Sequence, residues 1–349
     1  MTSIFNIENL VRKSVKGLKP YSSARDEYVS DGSAMVFLDA NENPFDNGVN
    51  RYPDPQQRSL KALLSDQKGV SEQGILLGNG SDEVLDLIFR AFCEPNQDNI
   101  ITLPPTYGMY KVLAGINAVE NREILLTEDF QPAVDQILGA VDDKTKLIFI
   151  CSPNNPTGNA FDSGAIRELL DNFRGIVVID EAYIDFSKTK SWLGQLEQYP
   201  NLIVTQTLSK AYGMAGIRLG VCYASEEIIT ILNKIKPPYN VNQLTQEKAF
   251  ARVSDTSVVA NEVNQILKER DALENALEEL DFVQKIYPSN ANFLLVKVDD
   301  ANKRYDELIQ NRVVVRNRSN QPLCANTLRL TVGTPEENKK LIATLKQLQ

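Results

Sequence analysis

A lysine ends a buried-looking run in this chain. Lys210 sits in Thr207-Leu208-Ser209-Lys210-Ala211-Tyr212-Gly213, just after the apolar segment Leu202-Ile203-Val204, with Arg218 eight positions further on. Packing accounts poorly for an amine at such a place. In a water-poor pocket a lysine pKa falls, so the neutral, nucleophilic amine becomes accessible. The pattern suits an amine held as a Schiff base to an aldehyde cofactor whose phosphate is bound by Ser209 and Arg218.

Other candidates recur at the ends of apolar runs. Asp180 closes Gly175-Ile176-Val177-Val178-Ile179, and the carboxyl ends of strands in open α/β sheets are where ligands bind. A carboxylate there could keep the ring nitrogen of pyridoxal phosphate protonated and so make the ring an electron sink; the alternative for a lone strand-end Asp is a helix cap. Tyr183, three residues on, could donate to the cofactor's phenolic oxygen or could simply pack. Ser152-Pro153-Asn154-Asn155-Pro156-Thr157-Gly158 reads as turn chemistry or as a loop that brings the Asn155 amide to the same oxygen. Gly78-Asn79-Gly80-Ser81-Asp82-Glu83 opens a helix, where free N–H groups and the positive helix end favour an anion. Ser81 could equally be an N-cap. Tyr107, in Pro104-Pro105-Thr106-Tyr107-Gly108-Met109-Tyr110, could stack on a pyridine ring or be structural.

Near the C-terminus, Val315-Arg316-Asn317-Arg318 and Leu328-Arg329-Leu330-Thr331-Val332-Gly333 place arginines at or inside apolar strands, where charge is seldom buried without a partner. Arg329 suits a bidentate grip on a carboxylate, and Arg316 a second anion. Arg318 reads as a solvated surface charge.

These residues need a scaffold that gathers strand ends. Strand-like runs at 75–78, 99–103, 122–126, 146–151, 176–180, 202–206 and 218–223 alternate with helical patterns, which predicts an α/β fold with a mostly parallel seven-stranded sheet between helices. Residues 1–30 read as an arm with a short helix over 7–16. Residues 31–240 read as the large domain, and 241–349 as a smaller α/β domain reached through a long amphipathic helix at about 255–280. In the latter Val259, Val263, Ile266, Leu273, Leu277 and Leu280 recur at three- and four-residue steps. Strands near 292–298, 313–316 and 328–332 and helices near 301–311 and from 335 complete it.

Composition bounds the chemistry. The chain has no histidine, which removes Ser-His-Asp and Cys-His catalysis and every histidine-ligated metal site. No metal is expected. A net charge of −9 disfavours nucleic acid as a partner. Cys93, Cys151, Cys222 and Cys324 are far apart, form no CxxC pair and lie in or beside apolar runs, so they read as buried free thiols in a reducing compartment. No run is apolar enough for a signal peptide or a membrane helix, and a cytoplasmic protein is expected.

The ordered set Asn-Pro-Thr-Gly, Asp-x-x-Tyr and Ser-Lys followed by Arg218 resembles the fold-type I pyridoxal-phosphate aminotransferases. Four stretches narrow the resemblance to the histidinol-phosphate aminotransferase family: 38–44 (LDANENP), 51–54 (RYPD), 104–110 (PPTYGMY) and 328–334 (LRLTVGT). The resemblance implies transamination between L-histidinol phosphate and 2-oxoglutarate in histidine biosynthesis, with pyridoxal 5'-phosphate as cofactor. An aromatic aminotransferase or an amino acid phosphate decarboxylase on the same scaffold is the alternative. By the same resemblance Lys210 carries the cofactor and moves the proton, Asp180 pairs with the pyridinium, and Asn155 and Tyr183 bond the phenolic oxygen. Tyr107 stacks on the ring, while Ser81, Asp82 through its backbone, Ser209 and Arg218 bind the phosphate. Tyr52 reaches the cofactor phosphate of a second subunit in a homodimer. Arg329 grips the α-carboxylate, and Tyr21, Asn43 and Arg316 contact the distal group.

Overall fold

The computed structural model describes residues 5–20 and 35–348. Seven strands form the larger sheet: β1 Ile75–Asn79, β2 Asn99–Thr102, β3 Glu120–Glu123, β4 Thr145–Cys151, β5 Ile176–Asp180, β6 Leu202–Thr207 and β7 Leu219–Ala224. Their order is β1-β7-β6-β5-β4-β2-β3. Pairs β2/β3, β2/β4, β4/β5 and β5/β6 are parallel, whereas β7 runs antiparallel to both its neighbours. The central strands are continuously apolar because both faces are covered. Val177 and Ile179 of β5 join the core on one face with Ile148, Ile150 and Val204. Ile176 and Val178 join the other, with Phe149, Cys151 and the helix Ser81–Phe92. Asp180 shares the parity of Val178, so its carboxylate emerges on this second face.

A smaller antiparallel sheet has the order β10-β11-β9-β8, from β8 Val283–Ile286, β9 Phe293–Val298, β10 Arg316–Asn317 and β11 Thr327–Thr331. Leu294, Val296 and Val298 pack with Leu328 and Leu330 beneath the long helix Thr256–Glu278 and the final helix Pro335–Gln347. The opposite face is turned toward the large sheet: Leu295 belongs to the large sheet's core and Phe293 packs with Tyr183.

Two expectations need correction. The third strand lies at Glu120–Glu123, not at 122–126. It is the sheet edge, so it needs no apolar run of its own, and the apolar residues Ile124-Leu125-Leu126 follow it. The N-terminal helix over 7–16 is two separate turns, Ile7–Asn9 and Lys13–Lys16. Their apolar residues Ile7, Val11 and Val15 are spaced to cover the large core without a continuous helix. All four cysteines are free and buried, as expected. Among the described residues no helix is long and apolar enough to cross a membrane.

Beneath the Asp180 face, Phe149 stacks on Phe89 at 5.1 Å and on Tyr110 at 4.9 Å. Truncating such a ring in a closed core costs about 3–5 kcal/mol. Phe149→Ala is therefore expected to lower the denaturant midpoint markedly; an unchanged midpoint would show that this stack carries little of the fold's stability.

Candidate active site

Parallel strands deliver their carboxyl ends to one edge of the sheet. Asn79-Gly80-Ser81 leaves β1, Tyr107 follows β2, Asn155 follows β4, Asp180 ends β5 and Lys210 follows β6. Because β7 is antiparallel, its first residues lie at that same edge, pairing Leu219 with Asn79 and Gly220 with Thr207. Arg218, just before β7, is thereby brought opposite Gly80. Chain positions 79 to 218 converge through topology alone.

Asp180 is 4% exposed. The Tyr110 hydroxyl donates to its Oδ2 at 2.8 Å, and the Ala182 N–H donates to Oδ1 at 3.1 Å. Both donors are uncharged, and no ion pair involves this carboxylate among the described residues. Burial raises its pKa, and the Tyr110 hydrogen bond opposes that rise. Lys210 Nζ lies 5.5 Å from the centre of the Tyr183 ring. Burial first, and then the Arg329 charge, hold the Lys210 amine below the ordinary lysine range. Tyr183 is buried, meets Phe293 edge to face at 5.2 Å, and has its hydroxyl pKa raised by burial.

An anion cup lies beside them. The N-cap of helix Ser81–Phe92 is Gly80, with φ +81°, and Ser81 is the first helical residue rather than a cap. A Cβ on Gly80 would come within 2.6 Å of Arg218 Nη2, and one on Gly220 would lie 2.2 Å from the Ser81 nitrogen. Only glycine lets β7 and Arg218 approach the helix start this closely. Arg218 itself is left-handed, with φ +55°, and its Nη2 lies 3.4 Å from Asp82 Oδ2. The other Asp82 oxygen accepts from the Tyr107 hydroxyl at 3.0 Å. The Asp82 side chain thus orients Arg218 and Tyr107, a role that a backbone-only reading of Asp82 leaves out. Ser209 donates its N–H to Thr207 Oγ1 at 3.1 Å, which fixes the turn into Lys210. Asn240 clamps the cup from outside, donating to the Leu77 carbonyl at 3.0 Å and to Glu83 at 2.7 Å.

Arg329 comes from the small sheet and donates from Nη1 to Asn155 Oδ1 at 2.5 Å. Its Nε is shielded and has no hydrogen-bond partner among the described residues. Asn155 keeps its Nδ2 as a donor. The neighbouring Asn154 is structural: it donates to the Pro105 carbonyl at 2.9 Å and to Thr157 Oγ1 at 2.7 Å, and accepts from Thr106 at 3.1 Å. It ties the Tyr107 loop to the Asn155 loop.

Not every candidate joins this cluster. Arg316 is exposed, directly across from Arg329 in the β10–β11 pair. Asn43 accepts from the Phe45 N–H at 3.0 Å in a loop held by Glu42, which takes Tyr52 N–H at 2.6 Å and Arg51 at 2.7 Å. Tyr52 is exposed and stacks on Tyr239 at 4.4 Å. Tyr21 lies outside the described residues. Arg318, expected to be a solvated surface charge, is instead half-buried with a shielded Nε. Tyr110, which the sequence pattern does not single out, joins the site through its bond to Asp180. Its place one helical turn after Tyr107 was the available signal, because it sets both rings on one helix start.

The family of class I and II aminotransferases matches residues 36–345. The histidinol-phosphate aminotransferase of Flavobacterium johnsoniae is 64% identical over 345 residues, covering 99% of each chain. The crystal structure of the histidinol-phosphate aminotransferase from Clostridium acetobutylicum superposes with a TM-score of 0.80 at 25% identity, covering 86% of this chain and 91% of that one. A second, from Sinorhizobium meliloti in complex with pyridoxal-5'-phosphate, shares the fold with a TM-score of 0.78 at 22% identity, covering 86% and 84%. With its strand-end amine, carboxylate and anion cup, the chain belongs to the class I and II aminotransferases and, within them, to the histidinol-phosphate aminotransferase family.

Proposed function

We propose that this chain transfers an amino group reversibly between L-histidinol phosphate and 2-oxoglutarate, giving imidazole acetol phosphate and L-glutamate, with pyridoxal 5'-phosphate as its cofactor. The observation that carries the reading is Asp180: a buried carboxylate with two uncharged donors and no cation partner among the described residues suits a protonated ring nitrogen. Bound there, pyridoxal phosphate supplies an aldehyde carbon and a protonated ring that takes up the electron pair left at the substrate's Cα.

The residues then divide the work. Asp180 holds the ring nitrogen's proton, and Tyr110 keeps the carboxylate aimed. Asn155 Nδ2 and the Tyr183 hydroxyl are donors for the phenolic oxygen, and Tyr107 offers a ring face. The N–H groups of Ser81 and Asp82, with Ser209 and Arg218, form the phosphate cup. Lys210 Nζ, whose pKa is lowered by burial and by the Arg329 charge, moves the proton at Cα. Arg329 offers the α-carboxylate of L-glutamate and 2-oxoglutarate its unpartnered Nε beside the Nη1 now on Asn155. Arg316, Asn43 and Tyr21 belong to the distal end.

A homodimer completes this reading. Val36, Leu38, Phe45 and Val49 are exposed along the Glu42-stapled segment, with Leu38 at 86% and Phe45 at 80%. An apolar surface of this kind marks an interface, and it carries Tyr52, the residue assigned to the second subunit's phosphate cup. The four buried thiols suit the cytoplasm.

Loaded with pyridoxal phosphate, the protein is expected to shift from the aldehyde to the amino form of the coenzyme on adding L-histidinol phosphate, and back on adding 2-oxoglutarate, as followed by absorbance. Absence of the first shift, or release of carbon dioxide when an amino acid phosphate is supplied instead, would contradict the reading. Lys210→Ala is expected to slow this half-reaction by roughly 10²–10⁴-fold or more. Tyr110→Phe should lower its maximal rate roughly 10- to 100-fold through loss of one hydrogen bond to a charged group, with substrate affinity little changed. A Tyr110→Phe rate equal to wild type would remove Tyr110 from the positioning role.

A further inference from the structure

A short turn joins the anion cup to the segment that carries Tyr52. Residues 236–240 (Lys-Pro-Pro-Tyr-Asn) follow the helix Glu226–Ile235. Asn240 Nδ2 reaches the Leu77 carbonyl and Glu83, and Glu83 Oε2 also accepts the Asn79 N–H at 2.5 Å, so this end of the turn is fixed on the helix start of the cup. The Asn240 oxygen accepts from Lys236 Nζ at 3.2 Å. The same amine donates to the Pro55 carbonyl at 3.1 Å, and Gln246 Nε2 donates to the Asp54 carbonyl at 3.2 Å. The Tyr239 ring stacks on Tyr52 at 4.4 Å with 19° between the planes.

Packing accounts poorly for Lys236. It is 8% exposed, and a second buried lysine, Lys61, lies within reach of its charge: burial first, and then Lys236, hold the Lys61 amine down at about 8. Burying two amines together is costly unless their hydrogen bonds fix something in return. What Lys236 fixes is a stiff lever. In Tyr52-Pro53-Asp54-Pro55 each proline ring locks its own φ and restricts the residue before it, so all four residues have little freedom. Holding the Pro55 carbonyl therefore sets the direction of the Tyr52 backbone, whose N–H is taken by the Glu42 carboxylate at 2.6 Å. Tyr239 adopts φ +58°, a strained conformation for a residue with a ring, and it is this conformation that presents its ring to Tyr52.

We infer that Lys236 and Tyr239 are positioning residues that hold Tyr52 so that its hydroxyl meets the cofactor phosphate of the second subunit. This rests on the homodimer and the Tyr52 assignment proposed above. The turn thereby serves two cups. Asn240 braces the cup of its own chain through Glu83, while Lys236 and Tyr239 present Tyr52 to the other. The consequence is a lysine whose loss is felt in the second subunit's site and not in its own.

The test begins with cofactor-free protein and pyridoxal phosphate in equilibrium dialysis. Tyr52→Phe is expected to raise the dissociation constant roughly 10- to 100-fold, the scale of one hydrogen bond to a charged group. Lys236→Met should raise it by part of that factor, and Lys236→Met added to Tyr52→Phe should raise it no further. Hybrid dimers then locate the effect. With Lys210→Ala and Lys236→Met on one chain and a wild-type partner, the single working lysine is served by the Tyr52 of the altered chain. The half-reaction with L-histidinol phosphate should then need more pyridoxal phosphate, by the factor seen in the Lys236→Met homodimer. With the two substitutions on different chains, that site receives a normally held Tyr52 and should match the hybrid of Lys210→Ala with wild type. Equal losses in both hybrids, or losses that add in the double variant, would mean that Lys236 serves only the fold and would overturn the inference. Binding unchanged by Lys236→Met but weakened by Tyr52→Phe would overturn it too, leaving the proposed reaction and dimer intact. No loss in Tyr52→Phe would remove the Tyr52 assignment, and this inference with it. If Lys236→Met does not fold, Tyr239→Leu takes its place with the same expected pattern.

Discussion

The site rests on charge left uncompensated by the protein itself. Asp180 is sealed at the end of a central strand with a tyrosine hydroxyl and a backbone N–H as its hydrogen-bond donors. A carboxylate desolvated in this way has a raised pKa and is costly to ionise. On the small sheet, Arg318 and Arg329 each keep a shielded Nε without a hydrogen-bond partner, and neither forms an ion pair among the described residues. In the proposed function a cationic ring nitrogen would satisfy the first imbalance and anionic substrates the second. The fold holds both imbalances apart because they sit on two different sheets.

That separation follows from topology. Parallel strands collect Gly80, Tyr107, Asn155, Asp180 and Lys210 at one edge, and the reversal of β7 adds Arg218 to it. The approach of Arg218 to the helix start depends on two glycines, Gly80 and Gly220, where a Cβ would collide. The small sheet contributes Arg329, which reaches across to Asn155 and so joins the two sheets at the reacting end. Asn154 and Tyr110 hold neighbouring site groups in place, Asn154 by tying the Tyr107 loop to the Asn155 loop and Tyr110 by its bond to Asp180.

Much of this was readable in the chain. Continuous apolar runs between helical patterns can only be central parallel strands, and polar residues at their ends had to share an edge; this reached Asp180, Lys210 and Asn155 directly. What was not readable depended on distance across the fold. The Tyr110–Asp180 bond joins residues 70 apart, and nothing local announces it. Arg318 looked solvated because its surroundings are polar in sequence. Its placement depends on pairing with Thr327 and on the loop that brings Cys324 into the large core, neither of which periodicity reveals. The edge strand Glu120–Glu123 escaped because an edge needs no apolar signature, and the N-terminal turns because spacing of Ile7, Val11 and Val15 imitates a helix that is not continuous.

The claim that Asp180 exists to hold a positive ring can be measured at the atom concerned. With pyridoxal phosphate labelled at its ring nitrogen with nitrogen-15, the nuclear magnetic resonance shift of the bound cofactor reports whether that nitrogen carries a proton. The account predicts a protonated nitrogen throughout the neutral and mildly alkaline range in the wild type, and an unprotonated one in Asp180→Asn. An unprotonated nitrogen in the wild type, or no difference between the two proteins, would contradict it.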